Sequence, residues 1–179
     1  MNKLASNIKG YILRRRRDLL WWAGLIVAVV LIQHWQTRDL LAKTQTAPAF
    51  TLVDLEGKER SLEEFRGRAV VVYFFAPWCT ICKATSSNIA YLRKLRGGEK
   101  LGVLTVALSY SNTDEVRGFA KDHGLTGSGV PVMLGDASVG DNYKIEAFPT
   151  VYFIDAKGEV RSSSMGYIST LGLWVRSVL

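Results

Sequence analysis

The chain has 179 residues, 48% of them hydrophobic, enough for one ordinary domain plus an additional segment. Its net charge of +7 is uneven: residues 1–40 carry seven basic side chains against two acidic ones, and the remainder is close to neutral at +2. A nucleic-acid binder carries its positive charge on the folded domain, so this distribution argues against nucleic acid as a partner. With only two cysteines, the domain is no disulfide-stapled scaffold either.

The positive charge lies in a basic N-terminus, residues 1–18, which ends in Arg14-Arg15-Arg16-Arg17-Asp18. Residues 19–35 follow as an apolar run broken only by Gln33 and His34. As a helix these 17 residues span roughly 25 Å, near the short end for a bilayer. Trp21, Trp22 and Trp35 stand near the two ends, where indole rings favour the membrane interface. The run is read as a single-pass anchor. Four arginines precede it and Arg38 alone follows closely, so the positive-inside rule places the N-terminus in the cytoplasm and residues from about 40 onward outside. A cleaved signal peptide is the competing reading, but bulky, polar Gln33-His34-Trp35-Gln36 offers no small-x-small cleavage site. Residues 36–46 read as a polar tether, and residues 47–179 as the folded domain.

Within that domain, Phe50 to Asp54 reads as a strand, and Glu56-Gly57-Lys58 as a turn. Ser61 to Glu64 has the spacing of a capping box opening a short helix. Ala69 to Phe75 is a continuous valine-rich apolar run, typical of a strand covered on both faces. A helix follows with Ile81, Ile89, Leu92 and Leu95 on one side, stopped by Gly97-Gly98. Leu101 to Leu108 is a second buried strand, and Asn112 to His123 a helix stopped by Gly124. Val132 to Leu134 and Ala137 to Tyr143 read as a strand and a helix. Thr150 to Asp155 and Glu159 to Ser163 form a hairpin about Ala156-Lys157-Gly158. A helix over 168–179 closes the chain, with Leu171, Trp174, Val175 and Val178 as its expected buried stripe. The alternation indicates an α/β domain with a largely parallel central sheet and an antiparallel hairpin at its end.

Both cysteines fall in Phe75-Ala76-Pro77-Trp78-Cys79-Thr80-Ile81-Cys82-Lys83, where a buried strand gives way to a helix. The first helical turn offers unpaired N–H groups and the positive end of the helix dipole. A thiolate there is stabilised and becomes nucleophilic near neutral pH. Cys79, at the helix start, is the expected attacking sulfur; Cys82, one turn in, is the resolving sulfur. A structural zinc site needs four ligands, and only His34 and His123 could join the pair. Haem attachment needs a histidine after the second cysteine, where Lys83 stands. A Cu(I) site on the same two thiolates, as in a periplasmic copper-handling module, remains the alternative.

Residues 47–179 resemble the thioredoxin superfamily, and within it the membrane-anchored TlpA/ResA-like group of bacterial thiol-disulfide oxidoreductases. Three blocks carry the resemblance: Ala47-Pro48-Ala49-Phe50-Thr51-Leu52 with Asp54, Gly57 and Phe65-Arg66-Gly67; Val70 through Lys83; and Phe148-Pro149-Thr150 with the strand after it. The resemblance implies a thioredoxin fold, a mixed sheet flanked by helices, with an extra strand and helix between Thr126 and Glu146. It implies a cis Pro149 beside the cysteine pair, with the Phe148 backbone offered to a substrate strand. Trp78, Phe148 and Pro149 are thus the expected substrate-binding residues, and Cys79 and Cys82 the catalytic ones. Disulfide-containing or thiol proteins are the implied partners, together with a membrane electron-donor protein that would make the domain a reductase or isomerase. No cofactor and no resident metal are expected.

Some positions depart from the pattern. Tyr73 replaces the buried aspartate of thioredoxin, Thr85 the glutamate of cytochrome-maturation members, and Ser87 the helix-kinking proline. Ala76 stands where peroxiredoxins need a threonine or serine, so peroxidase activity is not expected.

Overall fold

The computed structural model describes residues 20–32, 40–96 and 101–178. The chain divides into two units, Met1–Arg38 and Asp39–Leu179. In the first, residues 20–32 form helix α1, whose side chains are all exposed. Among the described residues no helix is long and apolar enough to cross a membrane. The basic segment 1–18 and the ends of the 19–35 run, including His34 and Trp35, lie outside the described residues.

The second unit is built about a five-stranded sheet of order β5-β4-β3-β6-β7. Its centre is β3 (Ala69–Phe75), flanked by β4 (Leu101–Ala107) in parallel and β6 (Thr150–Ile154) antiparallel. The edges are β5 (Val132–Leu134), parallel to β4, and β7 (Val160–Met165), antiparallel to β6. Successive strand residues face opposite sides of a sheet. Val71, Tyr73 and Phe75 therefore enter one core, with Ile89 and Leu92 of helix α2 (Thr80–Arg96), Val116 and Phe119 of α3 (Thr113–Asp122) and Leu173 of α5 (Thr170–Val178). Val70, Val72 and Phe74 enter the other, with Leu104, Met133, Tyr152 and Tyr143, the residue that ends α4 (Ala137–Asn142). Burial on both faces explains why β3 reads as an unbroken apolar run.

The expected strand at Phe50 to Asp54 is β1 (Thr51–Val53), which pairs with β2 (Glu59–Ser61), a strand between the expected turn and capping box that the local pattern does not predict. The short helix after Ser61 is a 3-10 turn, Leu62–Phe65, and the Ser61 N–H donates to Glu64 Oε1 over 2.7 Å. Helix α3 begins as expected, with the Asn112 side chain accepting from Glu115 N–H, and ends before Gly124, whose φ of 74° suits a residue without a Cβ. β5 and α4 are the additional strand and helix. The expected helix stop at Gly97-Gly98 lies outside the described residues.

Three expectations are corrected. On α2, Ile89 and Leu92 are buried, but Ile81 and Leu95 are half-exposed at 50% and 54%; the buried face includes Cys82, Thr85 and Ser86 instead. On α5, Leu171, Trp174, Val175 and Val178 are exposed, and Leu173 and Ser177 are buried. The cause is docking: Asn88 of α2 donates to the Ile168 carbonyl and accepts from the Thr170 hydroxyl, and this fixes the start of α5 with its Leu173 edge inward. Finally, the polar tether does not extend to residue 46. Leu40 and Leu41 are buried in the second core, the Leu41 N–H donates to the Tyr152 hydroxyl, and the Thr44 N–H donates to the Val160 carbonyl.

Candidate active site

The cysteine pair sits where β3 ends and α2 begins, so the core strand fixes its position and the helix its chemistry. Cys79 immediately precedes the first residue of α2, the place where Ser, Thr or Asp commonly caps a helix. Its sulfur performs that role: the Cys82 N–H donates to Cys79 Sγ over 3.2 Å. The Cys79 N–H in turn donates to the Ala76 carbonyl over 3.1 Å, which closes the turn leading from the strand. Cys79 and Cys82 are joined by a disulfide, with Cα atoms 5.3 Å apart. Cys79 is 6% exposed and Cys82 0%, so any incoming thiol meets Cys79 first.

Below the pair lies Tyr73, fully buried and stacked on Phe75 at 5.5 Å. Its hydroxyl donates to the Cys82 carbonyl over 3.1 Å and lies 3.1 Å from Ser86 Oγ. Burial pushes the Tyr73 phenol well above its ordinary value of 10.0, against the weaker opposite pull of the Ser86 hydrogen bond. Tyr73 is therefore a neutral brace under the first turn of α2 at neutral pH, and no proton acceptor like the aspartate it replaces.

Beside the pair is a shelf of aromatic side chains. Trp78 is 61% exposed, yet it is held: its indole N–H donates to the Ser109 carbonyl over 2.8 Å. Its ring meets Phe148 edge to face, with centroids 5.8 Å apart. Phe148 is half-buried against the core that contains both cysteines. The Phe148–Pro149 peptide bond is cis. The loop is braced on both sides, since the Gly166 N–H donates to the Pro149 carbonyl and the Thr150 hydroxyl to the Ala147 carbonyl.

All five sequence-derived site residues thus lie in one region: Cys79 and Cys82 as a bonded pair, Trp78 and Phe148 in ring contact, and Pro149 next to Phe148. Ser109 and Asn88 escaped the sequence reading. Their roles depend on a backbone carbonyl and on an amide reaching another helix, neither of which leaves a local pattern. Among the described residues no group of three or more His, Cys, Asp or Glu side chains is placed to hold a metal ion.

The Redoxin family profile matches residues 42–171. The chain is 28% identical over 156 residues to the thioredoxin-like protein YneN of Bacillus subtilis, covering 82% of this chain and 89% of that protein. It is 32% identical over 162 residues to the thiol-disulfide oxidoreductase ResA of Bacillus thuringiensis (strain Al Hakam), covering 88% and 90%. The fold matches the crystal structure of a thiol:disulfide interchange protein of the thioredoxin family from Chlorobium tepidum, with a TM-score of 0.68 at 24% identity over 77% of this chain and 97% of that one. The cysteine pair at a helix start, the profile and the ResA relatives agree: the chain belongs to the Redoxin family of the thioredoxin superfamily and is a ResA-like thiol-disulfide oxidoreductase.

Proposed function

We propose that this protein exchanges disulfides with protein substrates outside the cytoplasmic membrane, as a reductase or isomerase recharged by a membrane electron donor. The observation that carries the reading is the Cys82 N–H bond to Cys79 Sγ at the start of α2. An amide donor and the helix dipole both favour a thiolate at that sulfur. In the reduced protein, the Cys79 thiolate attacks a substrate disulfide, forms a mixed disulfide and expels one substrate thiolate. Cys82 gives up its proton and attacks Cys79 Sγ, which expels the second substrate thiolate and closes the Cys79–Cys82 bond. Two electrons pass to the substrate, and its two thiolates take up two protons. A donor dithiol then reopens the pair by the same steps in reverse.

Trp78 and Phe148 form the docking shelf in this reading, with the loop around Pro149 presenting backbone to a substrate strand. The apolar run 19–35, preceded by four arginines, serves as an uncleaved anchor with its N-terminus in the cytoplasm and the catalytic domain in the periplasm. Such tethering raises the effective concentration of the domain at a membrane-embedded donor.

Substrate trapping tests the exchange. Cys82→Ala should accumulate mixed disulfides with proteins on non-reducing gels, and Cys79→Ala should not. The opposite pattern would reverse the roles, and no adducts with either variant would sink the reading. For topology, alkaline phosphatase fused after residue 46 should be active, and the full-length chain should stay with membranes. A shortened, soluble product would contradict the anchor.

A further inference from the structure

Thr85 lies on the buried face of α2, one turn beyond Cys82. It is 0% exposed, and among the described residues its hydroxyl is the one buried side-chain nitrogen or oxygen without a hydrogen-bond partner. Leaving such a group unpaired gives up its hydrogen bonds to water with nothing in return, and so destabilises the fold. Threonine within a helix can relieve that cost by bonding back to the carbonyl three or four residues earlier. Thr85 does not. In the disulfide form, a valine of nearly the same shape would fill the site at lower cost.

Helix geometry indicates where the hydroxyl finds a partner. Side chains on an α-helix lean toward its N-terminus, and positions three apart are neighbours on one face. Thr85 therefore leans over the turn that carries Cys82, itself sealed from solvent at 0% exposure. While the disulfide is closed, Cys82 Sγ is held toward Cys79 Sγ and the Thr85 hydroxyl makes no hydrogen bond to it. Once the bond opens, Cys82 bears a buried thiol that becomes a buried thiolate when it resolves a mixed disulfide. The other polar groups nearby are engaged. The Cys82 N–H serves Cys79 Sγ, and the Tyr73 hydroxyl serves the Cys82 carbonyl and Ser86.

We propose that Thr85 is a positioning residue for the resolving sulfur: its hydroxyl donates to Cys82 Sγ in the reduced protein and has no partner in the oxidised one. The inference rests on the exchange reading above. It makes the reduced form more stable relative to the disulfide, and hence the pair more oxidising, than the same fold with an apolar residue at this position.

Equilibration of the full-length protein with glutathione buffers tests this. In that reaction the Cys79–Cys82 bond breaks and a glutathione disulfide forms. Two glutathione thiols supply two electrons, and their two protons pass to Cys79 and Cys82. The reduced fraction is read by thiol alkylation and mass. Thr85→Val should shift the equilibrium toward the protein disulfide about 5- to 10-fold, the worth of one hydrogen bond to sulfur in a buried site. Thr85→Ala should shift it in the same direction, and Thr85→Ser should return it to within about 2-fold of the parent. Melting of the two redox forms gives an independent readout. Oxidised Thr85→Val should be at least as stable as the parent, and reduced Thr85→Val less stable. An unmoved equilibrium, with both redox forms changed alike, would show a purely structural threonine and overturn the proposal. If the parent itself fails to exchange with glutathione, the redox reading of the pair falls and this inference falls with it.

Discussion

The Cys82 N–H points at the sulfur of Cys79 over 3.2 Å, so the more buried cysteine supplies, through its backbone, the donor that stabilises the more accessible one as an anion. The two residues are coupled before any chemistry begins. A change that tilts the first turn of α2 would alter both the nucleophile and the geometry of its resolution. The Tyr73 hydroxyl holds that turn by its carbonyl side, at Cys82 O.

Removal of that brace should therefore be costly. Tyr73→Phe deletes the bond to the Cys82 carbonyl and leaves Ser86 Oγ without its buried partner. A loss of about 1–3 kcal/mol is predicted, read as a lower urea midpoint with an unchanged slope. Ser86→Ala should lose less, and the double variant should lose less than the sum of the two, because the groups share one network.

The aromatic shelf makes a separate prediction about substrates. Trp78→Ala removes an exposed ring held by the Ser109 carbonyl and in edge contact with Phe148. Exchange with protein disulfides should fall about 3- to 10-fold in kcat/KM, the scale of one aromatic contact. Exchange with a small aromatic disulfide should change less than about 2-fold, since it needs no strand docking. Equal losses on both would assign Trp78 to the fold and not to docking.

Acid stability should depend on Asp54. It is buried at 4% exposure, accepts from the Glu56 and Lys58 N–H groups at 2.9 Å each, and pairs with Arg60 at 3.2 Å. Burial pushes its carboxyl up, but the bonds from Lys58, Arg60 and Glu56 together outweigh burial and hold it below the ordinary value of 3.8. Its contribution is thus complete above pH 3.8 and is lost as pH falls through the lower folded value. Asp54→Asn should reduce stability at pH 7 and flatten the decline below pH 3.8, measured by urea unfolding across that range. A parallel decline in parent and variant would contradict the role given to this turn.

An alkaline limit is predicted at the other face of the sheet. Burial raises the Tyr152 phenol from 10.0 to about 12, although the Leu41 N–H bond pulls it down. The folded state therefore holds this proton more tightly. Its contribution is full below pH 10 and disappears as pH rises to about 12. The same hydroxyl donates to the Tyr143 carbonyl over 2.6 Å and receives the Leu41 N–H. Tyr152→Phe should lower stability by about 1–2 kcal/mol at pH 7 and speed amide exchange at Leu41, with the alkaline decline reduced.

Much of this arrangement is legible in the sequence where one element carries its own pattern. The apolar run of β3 and the cysteines directly after it place the site, and Asn112 with Gly124 brackets α3. Where the sequence misleads, a distant partner decides. Leu171, Trp174, Val175 and Val178 have the spacing of a buried stripe, but the Asn88 bonds to Ile168 and Thr170 turn Leu173 inward. Leu40 and Leu41 sit in a stretch that reads as a polar linker, and the hydroxyl that receives the Leu41 N–H lies 111 residues away. Thr85 and Tyr73 can be named from sequence as departures from a family pattern. That one hydroxyl is orphaned and the other is engaged is visible only in three dimensions.

In the proposed exchange Cys79 is the nucleophile and Cys82 the resolving thiol. A timed alkylation of the reduced full-length protein at pH 7, read by peptide mass, separates the two roles. Modification confined to Cys79 at early times, with Cys82 labelled only after unfolding, is the predicted result. Equal labelling of the two, or faster labelling of Cys82, would show that Cys79 is not the nucleophile.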